Sequence, residues 1–214
     1  MFMIGMLAGA VLAAAAQAPL PADIDPVSRS RLPVMKRSDL NADGQKHYDA
    51  IRGTAPDIGV TGPSAVTIYA GAEAGEHFFA LNQAMRKASI GPAYFDLAAL
   101  VAAWEFEQQY EWTSHEGSAR TNKLDAATID AIKFNRPVTG LAPKDAAAVE
   151  FGRALFRGNH KVSSALWTKM VGLFGRQGTM ELAVVMGDYA MAAVALNAAD
   201  QHLLEGRTPL LPPR

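Results

Sequence analysis

Leu182, Val185, Met186, Tyr189, Ala193 and Leu196 recur at i, i+3, i+4, i+7, i+11 and i+14, so a helix here presents one continuous apolar stripe on a 3.6-residue period. Gly178 followed by Thr179 supplies a break and a capping residue for its start. No segment offers convincing two-residue alternation; residues 60–70 come nearest and are broken by Gly62 and Pro63. The remaining boundary signals are helical. Asn41 can cap a short helix reaching about Arg52, and a second helix fits Ala72 to Ala88. Gly91-Pro92 restarts the chain with proline in a first turn, Asp125 and Pro143 mark two more starts, and Ser163 can cap a helix ending near Gly172 or Gly175. Residues 53–63 read as a loop. The chain is therefore expected to be all-α, one domain of about seven helices. Half of its 214 residues are apolar and 19% are charged, against about 25% in average soluble proteins, which leaves ample material for a core.

The amino end is a separate piece. Residues 2–16 carry no polar side chain, and the first charged one is Asp23. This stretch is shorter than the roughly 20 residues that span a bilayer and suits the apolar core of a signal peptide. Ala14 and Ala16 place small residues at −3 and −1 of a cut before Gln17. The expected organisation is a signal peptide at 1–16, an extended lead-in at 17–37 containing Pro19, Pro21, Pro26 and Pro33, and a helical domain at 38–214. Cleavage would deliver a periplasmic or secreted protein with no stable membrane span; an uncleaved or misassigned start leaves it anchored or cytoplasmic.

Twenty Lys and Arg balance 21 Asp and Glu for a formal net charge of −1. That provides no electrostatic footprint for nucleic acid, which is bound through clustered cations. The absence of cysteine removes disulfides, thiolate metal ligands, iron–sulfur ligation and thiol redox chemistry. No metal is expected, because Glu111 and His115 give two donors and no His-x-His or His-x-x-x-His spacing adds a third. His47, His77, His160 and His202 are isolated and read as surface or capping residues; Trp104, Trp112, Trp167 and the nine Met read as core.

Chemistry concentrates between Tyr94 and Gly117. Taken as one helix, positions 94, 97, 101, 104, 108, 111 and 115 share a face of roughly 100°. Tyr94, Leu97, Val101 and Trp104 suit a buried stripe, whereas Gln108, Glu111 and His115 put polar groups where the pattern demands apolar ones. Burying such a group unpaired costs about 1–3 kcal/mol. Glu111 and His115 stand at i and i+4, so the carboxylate can hold one imidazole nitrogen and leave the other for a proton. Two readings follow: a buried pair that satisfies itself, or a proton-transfer site.

Gln109-Tyr110-Glu111-Trp112-Thr113-Ser114-His115, preceded by Tyr94-Phe95-Asp96-Leu97-Ala98-Ala99-Leu100 and followed by residues 116–124, resembles the central signature of the carboxymuconolactone decarboxylase-like family. Arg31-Leu32-Pro33 with Tyr48-Asp49-Ala50-Ile51 resembles that family's lead-in, and residues 178–197 with Pro209-Leu210 resemble its closing helix and tail. The resemblance covers most of residues 31–213, and Tyr-Glu-Trp-x-x-His is its specific part. It implies an all-α oligomeric protein related to AhpD-type alkylhydroperoxidases.

The thiol peroxidases of that group carry Glu, eleven residues, Cys, two residues, Cys, three residues, His. Counted back from His115, this puts Glu111 and Gln108 at the sulfur positions and Asp96 at the acidic one. Neither Gln nor Glu replaces a thiolate, so peroxidase activity is not expected. Glu107 occupies a place where the family often has a small residue.

What the resemblance then implies is a cofactor-free lyase, a decarboxylase of a small carboxylated lactone or related ring compound. His115 would donate the proton and Glu111 orient it, with Gln108, Tyr110, Asp96 and Trp112 supporting or binding substrate. Asp96 owes its role to the resemblance alone. Arg120 and Lys123 are the nearest cations in sequence. The partners implied are a small-molecule substrate and the chain itself, as a homotrimer or homohexamer. The alternative is a non-catalytic oligomeric binding protein on the same scaffold.

Overall fold

A computed structural model describes residues 19–53 and 59–214; the expected signal peptide lies outside these residues. Eight α-helices are found among the described residues: α1 (Ala42–Arg52), α2 (Gly62–Tyr69), α3 (Ala72–Met85), α4 (Gly91–Glu105), α5 (Gln109–Thr121), α6 (Ala126–Lys133), α7 (Pro143–Phe156) and α8 (Ser164–Ala198). Only two isolated β-bridges, Asp25 with Ser30 and Met35 with Val60, interrupt the helical architecture there.

Three of the expected caps hold. The side chains of Asn41, Asp125 and Ser163 accept from Gly44 N, Ala127 N and Leu166 N, each satisfying a first-turn donor. Pro92 and Pro143 sit in first turns. Residues 60–70, the nearest approach to a strand, instead form α2, and Gly62-Pro63 open that helix rather than close a loop.

The two helices expected here meet at a sharp break. Between Ser164 and Ala198 the helical chain is interrupted at Gly175, one of the two stops the sequence suggested, whose φ of 69° only glycine adopts readily. Thr179 is no N-cap; its hydroxyl donates to Gly175 O at 2.7 Å across the kink.

α4 lies at the centre, buried continuously from Phe95 to Trp104, as expected of a helix apolar all round. α8 packs on it through Leu182, Val185, Met186 and Tyr189, with Phe151 of α7 and Ile129 of α6 closing the same core. α8 is long and apolar enough to cross a membrane, but half of that window is buried in this core. Trp104 and Trp112 join the core, whereas Trp167, Met180 and Met191 are exposed. A smaller cluster of Tyr48, Val60, Ala65 and Ile68 anchors α1 and α2.

The proline-rich lead-in folds onto the domain. Asp25 N donates to Ser30 O at 2.9 Å to close a turn, and Arg31 N and Ser30 Oγ both donate to Ala199 O at the end of α8, at 2.8 and 3.1 Å.

α2 and α3 form a cover layer over the ends of α5 and α8. Their approach needs Gly75, since a Cβ there would lie 2.0 Å from Thr67 O. His47, expected at the surface, is buried beneath them with Nε2 3.2 Å from Thr67 Oγ1.

Candidate active site

The expected single helix from Tyr94 to Gly117 is broken. α4 ends at Glu105, Gln108 N donates back to Ala103 O at 2.8 Å and Glu107 N to Trp104 O at 3.2 Å, with Glu107 at φ 52°. This is the six-to-one and five-to-two pairing of a Schellman termination, with glutamate where glycine is usual. Gln108 then caps α5, its side-chain oxygen accepting from Tyr110 N at 2.8 Å. The chain reverses, so residues from α4 and α5 meet across a hairpin.

Three consequences correct the reading from a straight helix. Gln108 is occupied at the hairpin, its amide donating to Asn197 Oδ1 at 2.7 Å, and does not line the pocket. Trp112 is fully buried, and its indole donates to Glu116 Oε2 at 2.7 Å. Asp96, rather than Glu111, orients the histidine.

His115 Nδ1 stands 2.8 Å from Asp96 Oδ1. Ser118 Oγ and Asn122 Nδ2, on the same face of α5, donate to Asp96 Oδ2 at 2.8 and 2.7 Å. Burial pushes the Asp96 carboxyl upward, but the hydrogen bonds from His115, Asn122 and Ser118 together outweigh it and leave Asp96 below its ordinary value. An ionised Asp96 requires a proton on Nδ1, which leaves Nε2 facing the other way.

Nε2 faces Glu111 Oε2 at 3.7 Å, too long for a hydrogen bond. Burial raises the Glu111 pKa, opposed by the electrostatic influence of His115 and Arg86 and reinforced by Asp188. The Tyr189 ring meets the imidazole edge-on at 4.7 Å.

Glu111 and His115 open on a pocket of about 350 Å³, adequate for a small ring compound. Thr61, Pro63, Ser64 and Thr67 of the α2 region form one wall; Phe78, Phe79, Asn82, Gln83 and Arg86 from α3 and its end form another. Tyr110, Ser114, Asp188, Tyr189 and Ala192 complete it. Tyr110 packs on Gly62, where φ is 59° and a Cβ would lie 2.7 Å from the phenol oxygen. Burial raises the Tyr110 pKa, so the phenol stays protonated at neutral pH.

Sequence reasoning missed two polar groups here. Arg86 Nε donates to Asn82 Oδ1 at 3.0 Å and Nη2 to Tyr189 Oη at 3.3 Å, with the guanidinium 4.9 Å from the Phe95 ring centroid. The cations nearest in sequence do not serve the site: Arg120 pairs with Glu116 at 2.8 Å and neither it nor Lys123 lines the pocket. Asp188 is the second. Asn82 Nδ2 donates to its Oδ2 at 2.8 Å, and burial raises its pKa. Nothing short-range links Arg86 or Asp188 to the Tyr94–Gly117 segment, so only the fold brings them there. Among the described residues no group of three metal-binding side chains occurs.

The fold recurs in solved structures. A peroxidase-related protein with the alkylhydroperoxidase AhpD core from Ralstonia eutropha JMP134 superposes with a TM-score of 0.66 at 16% identity, over 86% of this chain and 99% of that one. A peroxidase-related protein from Silicibacter sp. TM1040 gives 0.65 at 15% identity, over 88% and 97%. The debrominase Bmp8, in a cysteine-to-alanine variant complexed with 2,3,4-tribromopyrrole, gives 0.58 at 13% identity, over 82% and 92%. No protein-family model matches the chain, and no curated protein matches it by sequence. The chain thus has an all-α AhpD-like fold and holds a cysteine-free His–Asp–Glu constellation on it.

Proposed function

We propose that this protein is a cofactor-free lyase that decarboxylates a small carboxylated lactone or related ring compound by proton transfer through His115 and Glu111. The observation that carries the reading is that His115 and Glu111 line one pocket while standing 3.7 Å apart, too far to satisfy each other by a hydrogen bond.

Decarboxylation releases CO2 and leaves an electron pair in the conjugated ring, where charge collects on a ring or carbonyl oxygen until carbon is protonated. The step is redox-neutral. Arg86 would hold an anionic group of the substrate, and the protonated Tyr110 phenol would face the developing oxyanion. Glu111, whose pKa burial raises, would pass a proton to Nε2 of His115, which delivers it to the ring carbon; Asp96 fixes the tautomer that leaves Nε2 open. Solvent then restores the proton. The apolar walls favour departure of neutral CO2.

Self-association as a homotrimer or homohexamer belongs to the same reading. Met180, Val184, Met191 and Val194 expose an apolar stripe on α8 opposite its core face, the kind of surface that subunit contacts cover. Export after removal of residues 1–16 remains part of the proposal on sequence grounds.

The test is CO2 release from a panel of lactones and hydroxy acids by purified protein. Turnover that disappears in His115→Gln supports the reading. Turnover of no compound, or turnover indifferent to both His115 and Glu111, contradicts it.

A further inference from the structure

We propose that Asp188 determines specificity, and that the pocket takes a small ring monocarboxylate bearing an N–H or O–H donor beside its carboxylate. This rests on the reading of the pocket as a small-molecule site and names what that site recognises.

Asp188 is 3% exposed. Its Oδ2 accepts from Asn82, but its Oδ1 is buried and meets no hydrogen-bond partner. Buried polar atoms are nearly always paired; Asp188 lines the pocket, and a small turn of its carboxyl would bring the unpaired Oδ1 to a ligand group that completes the network. Oδ1 lacks a donor, so the missing group is an N–H or O–H. Burial raises the Asp188 pKa, and the Asn82 amide and the Arg86 charge only partly offset it; an N–H or O–H brought to Oδ1 adds the stabilisation that keeps it an acceptor.

Asn82 also fixes where the ligand's charge belongs. The same amide that donates to Asp188 accepts from Arg86 Nε at 3.0 Å. The cation and the orphan acceptor therefore flank one side chain, and a ligand that meets both must carry its carboxylate and its donor close together. A second carboxylate is disfavoured because the pocket offers one guanidinium, and Asp188 beside it already draws on that charge. Phe78, Phe79 and Tyr189 supply flat walls for a ring.

Pyrrole-2-carboxylate and furan-2-carboxylate isolate the donor, having the same ring size and charge but exchanging N–H for oxygen. Isothermal titration of the full chain is expected to give at least about tenfold tighter binding of the pyrrole acid. Asp188→Asn, with Asn82 still donating to the retained oxygen, turns an NH2 toward the ligand and should abolish or reverse that preference. Arg86→Gln should weaken both acids alike and keep their ratio; this exposed change also serves if Asp188→Asn fails to fold. Equal affinities, preference for the furan acid, binding of neither acid, or an unchanged ratio in a folded Asp188→Asn protein overturns the proposal. A pyrrole acid bound through Asp188 that releases no CO2 counts only against the lyase reading. Turnover with no donor preference counts only against this one.

Discussion

The carboxylate of Asp96 on α4 holds Nδ1 of His115 on α5 at 2.8 Å, across a hairpin whose turn has no glycine. That contact decides which imidazole nitrogen reaches the pocket. It makes Asp96 a positioning residue, acting only through His115.

Asp96→Asn is expected to reduce turnover by about 10–100-fold, because an amide no longer selects the Nδ1–H tautomer or balances an imidazolium. A shifted pH–rate profile distinguishes this from simple loss of structure. Stability carries its own signature. The Asp96 carboxyl lies below its ordinary 3.8, so its contribution is complete above about pH 4 and disappears as pH falls through the lower folded value. Acid titration of the unfolding free energy should show this loss in wild type and lack it in Asp96→Asn.

Glu111 should behave oppositely. Its folded pKa is raised above 4.5 by burial, so the native state holds a proton that the unfolded chain releases. Stability then declines from about pH 4.5 up to the raised folded value. Glu111→Gln removes that penalty and is expected to make the protein more stable than wild type at neutral pH, while lowering turnover by about a hundredfold. Chemical denaturation at pH 5 and pH 8 checks the sign; a variant less stable than wild type at pH 8 contradicts it.

Glu116 provides the contrasting case on the other face of α5. It accepts from Trp112 at 2.7 Å, from Arg120 at 2.8 Å and from Lys133 at 2.9 Å, and it does not line the pocket. Glu116→Ala should cost about 3–5 kcal/mol, as expected when one partner of a buried ionic network is removed. kcat/KM per folded molecule, measured where the variant remains native, should stay close to wild type.

Helix starts were legible because their chemistry is local: Asn41, Asp125 and Ser163 cap, and Pro92 and Pro143 enter first turns. The ends were not. α4, α5, α6 and α8 all finish with a non-glycine residue at positive φ, namely Glu107, Lys123, Asn135 and Asp200. Glycine, the residue that usually announces such a stop, is absent from all four. Missing the stop at Glu107 turned a hairpin into a straight helix and gave Asp96's role to Glu111. His115 and Glu111 stood out because they interrupt an apolar stripe. Arg86 and Asp188 interrupt no pattern, lying at an exposed helix end and on the flank of the α8 stripe.

The exposed stripe on α8 gives a quaternary expectation. Light scattering at micromolar concentration should return a mass of three or six chains, and Met180→Lys combined with Met191→Lys should lower it without unfolding the subunit. A wild-type mass of one chain contradicts this part of the account.

Proton transfer by His115 is checked by measuring CO2 release and thermal unfolding of wild type and His115→Gln side by side. Gln keeps approximate size and some hydrogen bonding but cannot titrate near neutral pH. Turnover should fall by about 10²–10⁴-fold with little change in melting temperature. Full turnover in His115→Gln, accompanied by a lowered melting temperature, would show that the histidine is structural and contradict the account.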